Sequence, residues 1–306
     1  MSNRTGIVRD NLFIDHDPGS WHPESPQRLI SIYGRLDEGR WPLTTLERRN
    51  ATKDEISLVH RPEHFDHIAK TDGRPTTQLD ADTATSAMSF KAALAAAGGL
   101  INLVDKVVDG DLDNGFAFVR PPGHHAESYR AMGFCLFNNV AIGAAHAIEQ
   151  HGLERVAIVD FDVHHGNGTE DIFLDDRRVM VCSSFQHPFY PYSDAESVAG
   201  HLIKVPLAAG SGGAEFRRAI TESWLPELEA FQPQMIFVSA GFDAHREDYL
   251  AHLNLVEDDY VWITEMIKGV ADRYAGGRIV STLEGGYALS ALGRSATVHI
   301  KTLLGI

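Results

Sequence analysis

Between residues 116 and 285 the chain repeatedly sets short, almost uninterrupted apolar runs between longer helical patterns. This alternation constrains the fold more than any other feature. The runs are FAFV at 116–119, VAIVDFDV at 156–163, VMVCSS at 179–184, LIKVPL at 202–207, MIFVSAG at 235–241 and RIVSTLEG at 278–285. Strands with one wet face alternate apolar and polar residues. These runs are apolar at nearly every position, which suits strands covered on both faces. Helical patterns at 86–108, 138–150, 214–230 and 256–274 fill the gaps, and Thr52 with Glu55 makes a capping-box signal for a further helix. The expected fold is α/β: a mostly parallel, doubly wound sheet with helices on both faces. No linker, repeat or charge block divides the 306 residues, so a single domain over 1–306 is expected.

Acidic residues outnumber basic ones 42 to 27, a formal net charge of −15. Such a surface repels phosphate backbones, so direct nucleic-acid binding is not expected. It tolerates cationic substrates, although the same charge also simply keeps a protein soluble. The opening MSNRTGIVRD lacks the apolar stretch of a signal peptide, and no long apolar run suggests a membrane span. Cys135 and Cys182 are the only cysteines, each in an apolar stretch. That usage fits a reducing, cytoplasmic setting. A homo-oligomer is compatible with all of these features.

In open α/β sheets, ligands sit outside the carboxyl ends of the strands, so polar residues there carry the functional signal. VAIVDFDV runs into HHGNGTED, and Asp160, Asp162 and His164 alternate along it, as they would on one face of a strand. Carboxylates and an imidazole converging there are hard to bury without a cation. A lone Asp-x-His also suits a capping Asp beside a hydrogen-bonded His. MIFVSAG leads into Phe242-Asp243, and Asp243 completes an Asp-His-Asp set with room for water, as a hydrolytic metal site needs. Oxygen and nitrogen donors suit Zn²⁺, with Fe²⁺ or Co²⁺ also compatible. RPPGHHA at 120–126 follows FAFV, and its prolines and glycine hold His124 and His125 on a stiff turn. LEGGY at 283–287 follows the last run and places Tyr287 beside two glycines.

Taken in this order, RPPGHHA, GFCLFNN at 133–139, DFDVHHGNG at 160–168, SAGFDAH at 239–245 and EGGY at 284–287 resemble the histone deacetylase family, within the arginase-deacetylase fold. Asn167 and Glu284 resemble its class II branch and bacterial relatives. No GGDH-like segment supplies the extra ligands of two-manganese ureohydrolases. The resemblance implies a metal-dependent amidohydrolase that deacylates acyl-lysine in proteins or peptides, with an acetylpolyamine amidohydrolase as the alternative. It implies Asp162, His164 and Asp243 as ligands of the catalytic metal. His124, paired with Asp160, and His125, paired with Asn167, would handle protons, and Tyr287 would polarise the substrate carbonyl. A carboxylate partner favours imidazolium and an amide does not, so His125 is the expected base. Gly133, Phe134 and Tyr190 match positions lining the acyl-lysine tunnel, where the family commonly has Phe at the last. Arg28, in HPESPQR, matches an arginine beneath the site, and Asp82, in LDADT, a rim position. Leu250 falls at a gate where polyamine-preferring relatives carry glutamate. Ser183 and Ser184 would join Asp160, Asp162 and His164 around a structural K⁺.

Overall fold

The computed structural model describes residues 3–306. Eight strands form one sheet: β1 (Thr5–Val8), β2 (Leu43–Thr45), β3 (Asn114–Ala117), β4 (Val156–Asp160), β5 (Val179–Gln186), β6 (Leu202–Leu207), β7 (Met235–Ala240) and β8 (Ile279–Leu283). Their spatial order is β2-β1-β3-β8-β7-β4-β5-β6, and every neighbouring pair is parallel. Every residue of β3, β4, β5, β7 and β8 is buried, so the continuous apolar runs do mark strands covered on both faces. Helices Ser89–Val108 and Asn139–His151 pack on each other and against the sheet. Helices Gly213–Phe231, Glu257–Val270, Leu289–Leu304 and Gln27–Gly39 form a second packed series. No helix among the described residues is long and apolar enough to cross a membrane.

Three expectations need correction. The FAFV strand is shifted: β3 covers Asn114–Ala117, so Phe118 and Val119 already belong to the turn that leads to the histidines. The fourth strand stops at Asp160 rather than at 163. Beyond it alternate amides turn to side chains: Asp160 Oδ1 accepts from the Asp162 amide (3.0 Å) and Asp162 Oδ1 from the His164 amide (2.9 Å). Asp162 and His164 therefore converge through a carboxylate-stapled loop, not through strand alternation. Strands β1 and β2 lie outside the runs read from the sequence. TGIV contains a glycine whose missing Cβ leaves space for Leu103 and Leu112, and β2 is a three-residue edge. The Thr52–Glu55 capping box forms as read.

The register brings the functional loops to one level. Asp160 pairs with Ser239 and with Ser183, Ala240 with Leu283, and Thr282 with Ala117. Four adjacent strands, β3, β8, β7 and β4, thus release their carboxyl-end loops together.

Candidate active site

The loop after β4 brings Asp162 and His164 to Asp243, which follows β7. His164 Nδ1 lies 3.0 Å from Asp162 Oδ1 and 3.2 Å from Asp243 Oδ2, and one donor atom from each residue falls within 4.8 Å of the others. Each carboxylate is held from behind by a backbone amide. Asp243 Oδ1 accepts from Val163 N (2.9 Å) and Asp162 Oδ2 from Gly285 N (2.8 Å). Asp243 Oδ2 is buried without a hydrogen-bond partner, aimed at the shared centre. A Cβ on Gly285 would collide with both carboxylates and one on Gly241 with Asp162, which is why two glycines border the ligands.

The protein groups alone leave this centre electrostatically unbalanced. Burial would lower the His164 imidazole, but the neighbouring Asp162 and Asp243 carboxylates outweigh it and carry it up to about 10. Burial, with the Asp162 charge beside it, pushes Asp243 up to about 6. Two carboxylates, one imidazole and an orphaned oxygen fit a divalent ion, with the amide bonds behind the carboxylates orienting them as outer-shell partners do.

The rigid turn after β3 presents the two histidines. Its amides are held from below by Glu284: Oε2 accepts from Gly123 N (2.7 Å) and His124 N (3.1 Å). His124 Nδ1 lies 2.8 Å from Asp160 Oδ2. Burial opposes charge on this ring, but the Asp160 and Asp162 carboxylates prevail and raise it well above the ordinary histidine value. His125 Nδ1 lies 2.7 Å from Asn167 Oδ1, and the Asn167 amide nitrogen donates to Glu127 (2.9 Å), which orients the amide. Burial, then the neighbouring His124 and His164, holds His125 well below the ordinary value. The two rings, with centroids 4.0 Å apart, thus sit in opposite charge environments.

A cavity of about 200 Å³ opens onto this centre, lined by Asp82, His125, Gly133, Phe134, His164, Phe189, Tyr190, Leu250 and Tyr287. Its apolar walls and few convergent polar groups are those of a small-ligand site. Phe134 adopts a left-handed backbone (φ 69°), held by Thr83 Oγ1, which accepts from its amide (3.0 Å), while Asp82 Oδ1 accepts from Gly133 N (3.2 Å). Strain of this kind persists only where the surroundings enforce it. Gly133, at φ 56°, has the His125 ring where a Cβ would stand. The Tyr287 amide donates to Asp248 Oδ2 (2.6 Å), and burial keeps its phenol far above its ordinary value, hence protonated.

Arg28 lies behind the cavity rather than in its lining. It donates to the carbonyls of Gly286 (2.7 Å) and Glu284, and its guanidinium stands 5.0 Å from the centroid of the Tyr287 ring. Ser183 stands beside Asp160 in the sheet register, with Ser184 buried next to it. Several supporting residues escaped the sequence reading. Glu24, fully buried, bridges Arg28 (3.0 Å) and Arg120. Phe189 stacks on His164 at 5.5 Å, and Asp248 anchors Tyr287. Glu24 and Phe189 stand beside prolines in HPESPQR and HPFYPY, and that turn chemistry is the only local signal either one offers.

The family model "Histone deacetylase domain" matches residues 22–303. The chain is 36% identical to the human protein named polyamine deacetylase HDAC10, over 92% of this chain and 44% of that one. It is 35% identical to a probable deacetylase of Archaeoglobus fulgidus, over 93% and 82% respectively. The crystal structure of the HDA15 HD domain superposes with a TM-score of 0.93 at 36% identity, covering 99% of this chain and 88% of that one. The chain spans less than half the length of the human relative and 53% of Arabidopsis thaliana histone deacetylase 15. A fold, a matching domain and relatives of this similarity lead to one conclusion: the chain belongs to the histone deacetylase family of hydrolases.

Proposed function

We propose that this chain is a zinc-dependent deacylase that hydrolyses the amide of acyl-lysine side chains, acetyl-lysine above all, in proteins or peptides. The observation that carries the reading is the orphaned Asp243 Oδ2, facing Asp162 and His164 beneath a cavity walled by His125 and Tyr287. Asp162, His164 and Asp243 would hold Zn²⁺, or Fe²⁺ or Co²⁺, and the ion would supply Lewis acidity and bring the pKa of water to about 7.

The remaining chemistry belongs to the chain. With Nδ1 committed to Asn167, the neutral His125 offers Nε2 as the acceptor for the attacking water's proton, which it returns to the leaving amine. A positioned base of this kind contributes about 10²–10⁴-fold. His124, kept cationic by Asp160, supplies positive charge and orientation. The protonated Tyr287 hydroxyl donates to the carbonyl oxygen as charge develops there, a contact worth about 2.7–4 kcal/mol. Gly133, Phe134 and Tyr190 would sleeve the aliphatic stem, and Asp82 would receive the substrate backbone at the rim. Asp160, Asp162, His164, Ser183 and Ser184 would hold a structural K⁺. The free, buried Cys135 and Cys182 support a reducing, cytoplasmic setting.

Similarity to a polyamine deacetylase supports the second reading, hydrolysis of acetylpolyamines. Leu250 in the cavity wall weighs against it, because leucine offers an internal ammonium no partner. Glu247, three residues earlier, is paired with Arg294 at 2.7 Å and is absent from the cavity lining, where the rim carboxylate is Asp82. The deciding measurement is kcat/KM on acetyl-lysine peptides against acetylspermidine and acetylputrescine, using zinc-loaded enzyme. Higher efficiency on peptides is expected. Equal or higher efficiency on the polyamines would promote the alternative.

A further inference from the structure

Away from the cavity, three metal-ligating side chains meet where two helices end side by side. Asp105 lies in the last turn of helix Ser89–Val108, while His146 and His151 belong to the C-terminal half of helix Asn139–His151. His146 Nε2 and His151 Nε2 lie 2.7 and 2.8 Å from the same oxygen, Asp105 Oδ1, and the three donor atoms fall within 4.8 Å of one another. We propose that Asp105, His146 and His151 form a second zinc site, separate from the candidate active site, that clamps these two helix ends together.

Three observations support it. Two imidazoles and a carboxylate are a set that zinc accepts, with a fourth position for water. Both helices point their negative dipole ends here, which favours a cation. His146 is 6% exposed and turns its Nε2 onto the shared Asp105 oxygen (2.7 Å), so a buried donor atom is already directed into the cluster.

The geometry asks for a small adjustment. Zinc bonds of about 2.0–2.2 Å put tetrahedral ligand atoms roughly 3.3–3.5 Å apart, so the cluster must open by a little over half an ångström. Asp105 and His151 side chains are 34% and 19% exposed and have room to do so. None of the three residues lines the active-site cavity, so the clamp acts on stability and not on the reaction. The competing account is two ordinary N–H···O hydrogen bonds onto one carboxylate.

Zinc per chain, measured by elemental mass spectrometry, and calorimetric titration of metal-stripped full-length protein separate the two. Wild type should hold two equivalents, Asp162→Ala one, His151→Ala one and the double variant none. Zinc should raise the Tm of Asp162→Ala but not that of the double variant. Asp105→Asn should repeat the His151→Ala result, which guards against a disturbed helix end, and His151→Ala should keep its hydrolytic activity. A wild type with a single equivalent, removed by Asp162→Ala and followed by no second step up to millimolar zinc, overturns the site. Failure of the active-site metal would appear separately, as Asp162→Ala holding the same zinc as wild type.

Discussion

Asn167 Oδ1 lies 2.7 Å from His125 Nδ1, and this one contact decides which nitrogen of the imidazole faces the cavity. Because the Asn167 amide nitrogen is engaged by Glu127 (2.9 Å), its oxygen must face the ring. His125 therefore carries its proton on Nδ1 and leaves Nε2 bare. His124 makes the same kind of contact with a carboxylate instead, which favours the cation there while His125 stays neutral.

Asn167→Asp tests the division of labour. A carboxylate at this position stabilises imidazolium, so the His125 pKa rises. A base works only when neutral, so the acid limb of the kcat/KM profile should move to higher pH and activity near pH 7 should fall. Zinc content should stay constant. An unmoved acid limb on an acetyl-lysine peptide would remove His125 from the role of base.

Tyr287→Phe deletes a hydroxyl whose contribution grows as the carbonyl oxygen becomes negative. The expected result is a loss in kcat of about 10²–10³-fold, matching a contact of about 2.7–4 kcal/mol, with little change in KM. The backbone bond from Tyr287 to Asp248 survives the substitution, so the loop and the zinc content should be unaltered. Unchanged kcat on an unactivated substrate would rule Tyr287 out as the polarising group.

Leu250→Glu probes substrate choice. Burying a secondary ammonium beside leucine leaves a charged hydrogen bond unmade, worth on the order of 1–3 kcal/mol. Introducing a carboxylate should raise kcat/KM on acetylspermidine by about tenfold or more relative to an acetyl-lysine peptide. Glu247→Gln should leave that ratio unchanged, because its carboxylate is already held by Arg294.

Which parts of this molecule could be read from its sequence follows from how local their causes are. The central strands were legible because burial on both faces leaves an unbroken apolar run, as in β4 and β7. Asp162, His164, Asp243 and Tyr287 stood out because each lies at or just past the carboxyl end of such a run. The edge strand β2 has no such signature, since only one of its residues is even half-buried. Of the buried ionic cradle only Arg28 was read, and that through the resemblance; its partner Glu24 was silent. Arg28 reaches a carbonyl 258 residues away and Glu24 an arginine 96 residues away, and no local pattern encodes contacts of that span. Nor did the sequence disclose that Glu247 is neutralised by Arg294, 47 positions on.

The last prediction concerns acid stability and rests on His60, which is 2% exposed. Its Nδ1 stands 2.9 Å from the Glu127 carbonyl, so it must donate there, and its Nε2 accepts from the Asn138 amide at 2.8 Å. Only the neutral ring with its proton on Nδ1 satisfies both. A second proton would set N–H against N–H at the residue that caps helix Asn139–His151. Burial, reinforced by the His64 imidazole 4.9 Å away, pushes His60 down to about 3. The unfolded chain titrates near its ordinary value of about 6.5. Between those limits the unfolded state takes up a proton that the folded state refuses, so stability is intact above pH 6.5 and lost on acidification. For one such group the slope approaches about 1.4 kcal/mol per pH unit. His299, held near 3 by burial, adds a parallel loss, so the test is a difference between variants. His60→Gln retains a donor and an acceptor but does not titrate. Urea unfolding at pH 7.5, 6 and 5 should show wild type losing stability more steeply than His60→Gln by about 1 kcal/mol per unit. Parallel curves would mean that His60 is protonated in the folded state.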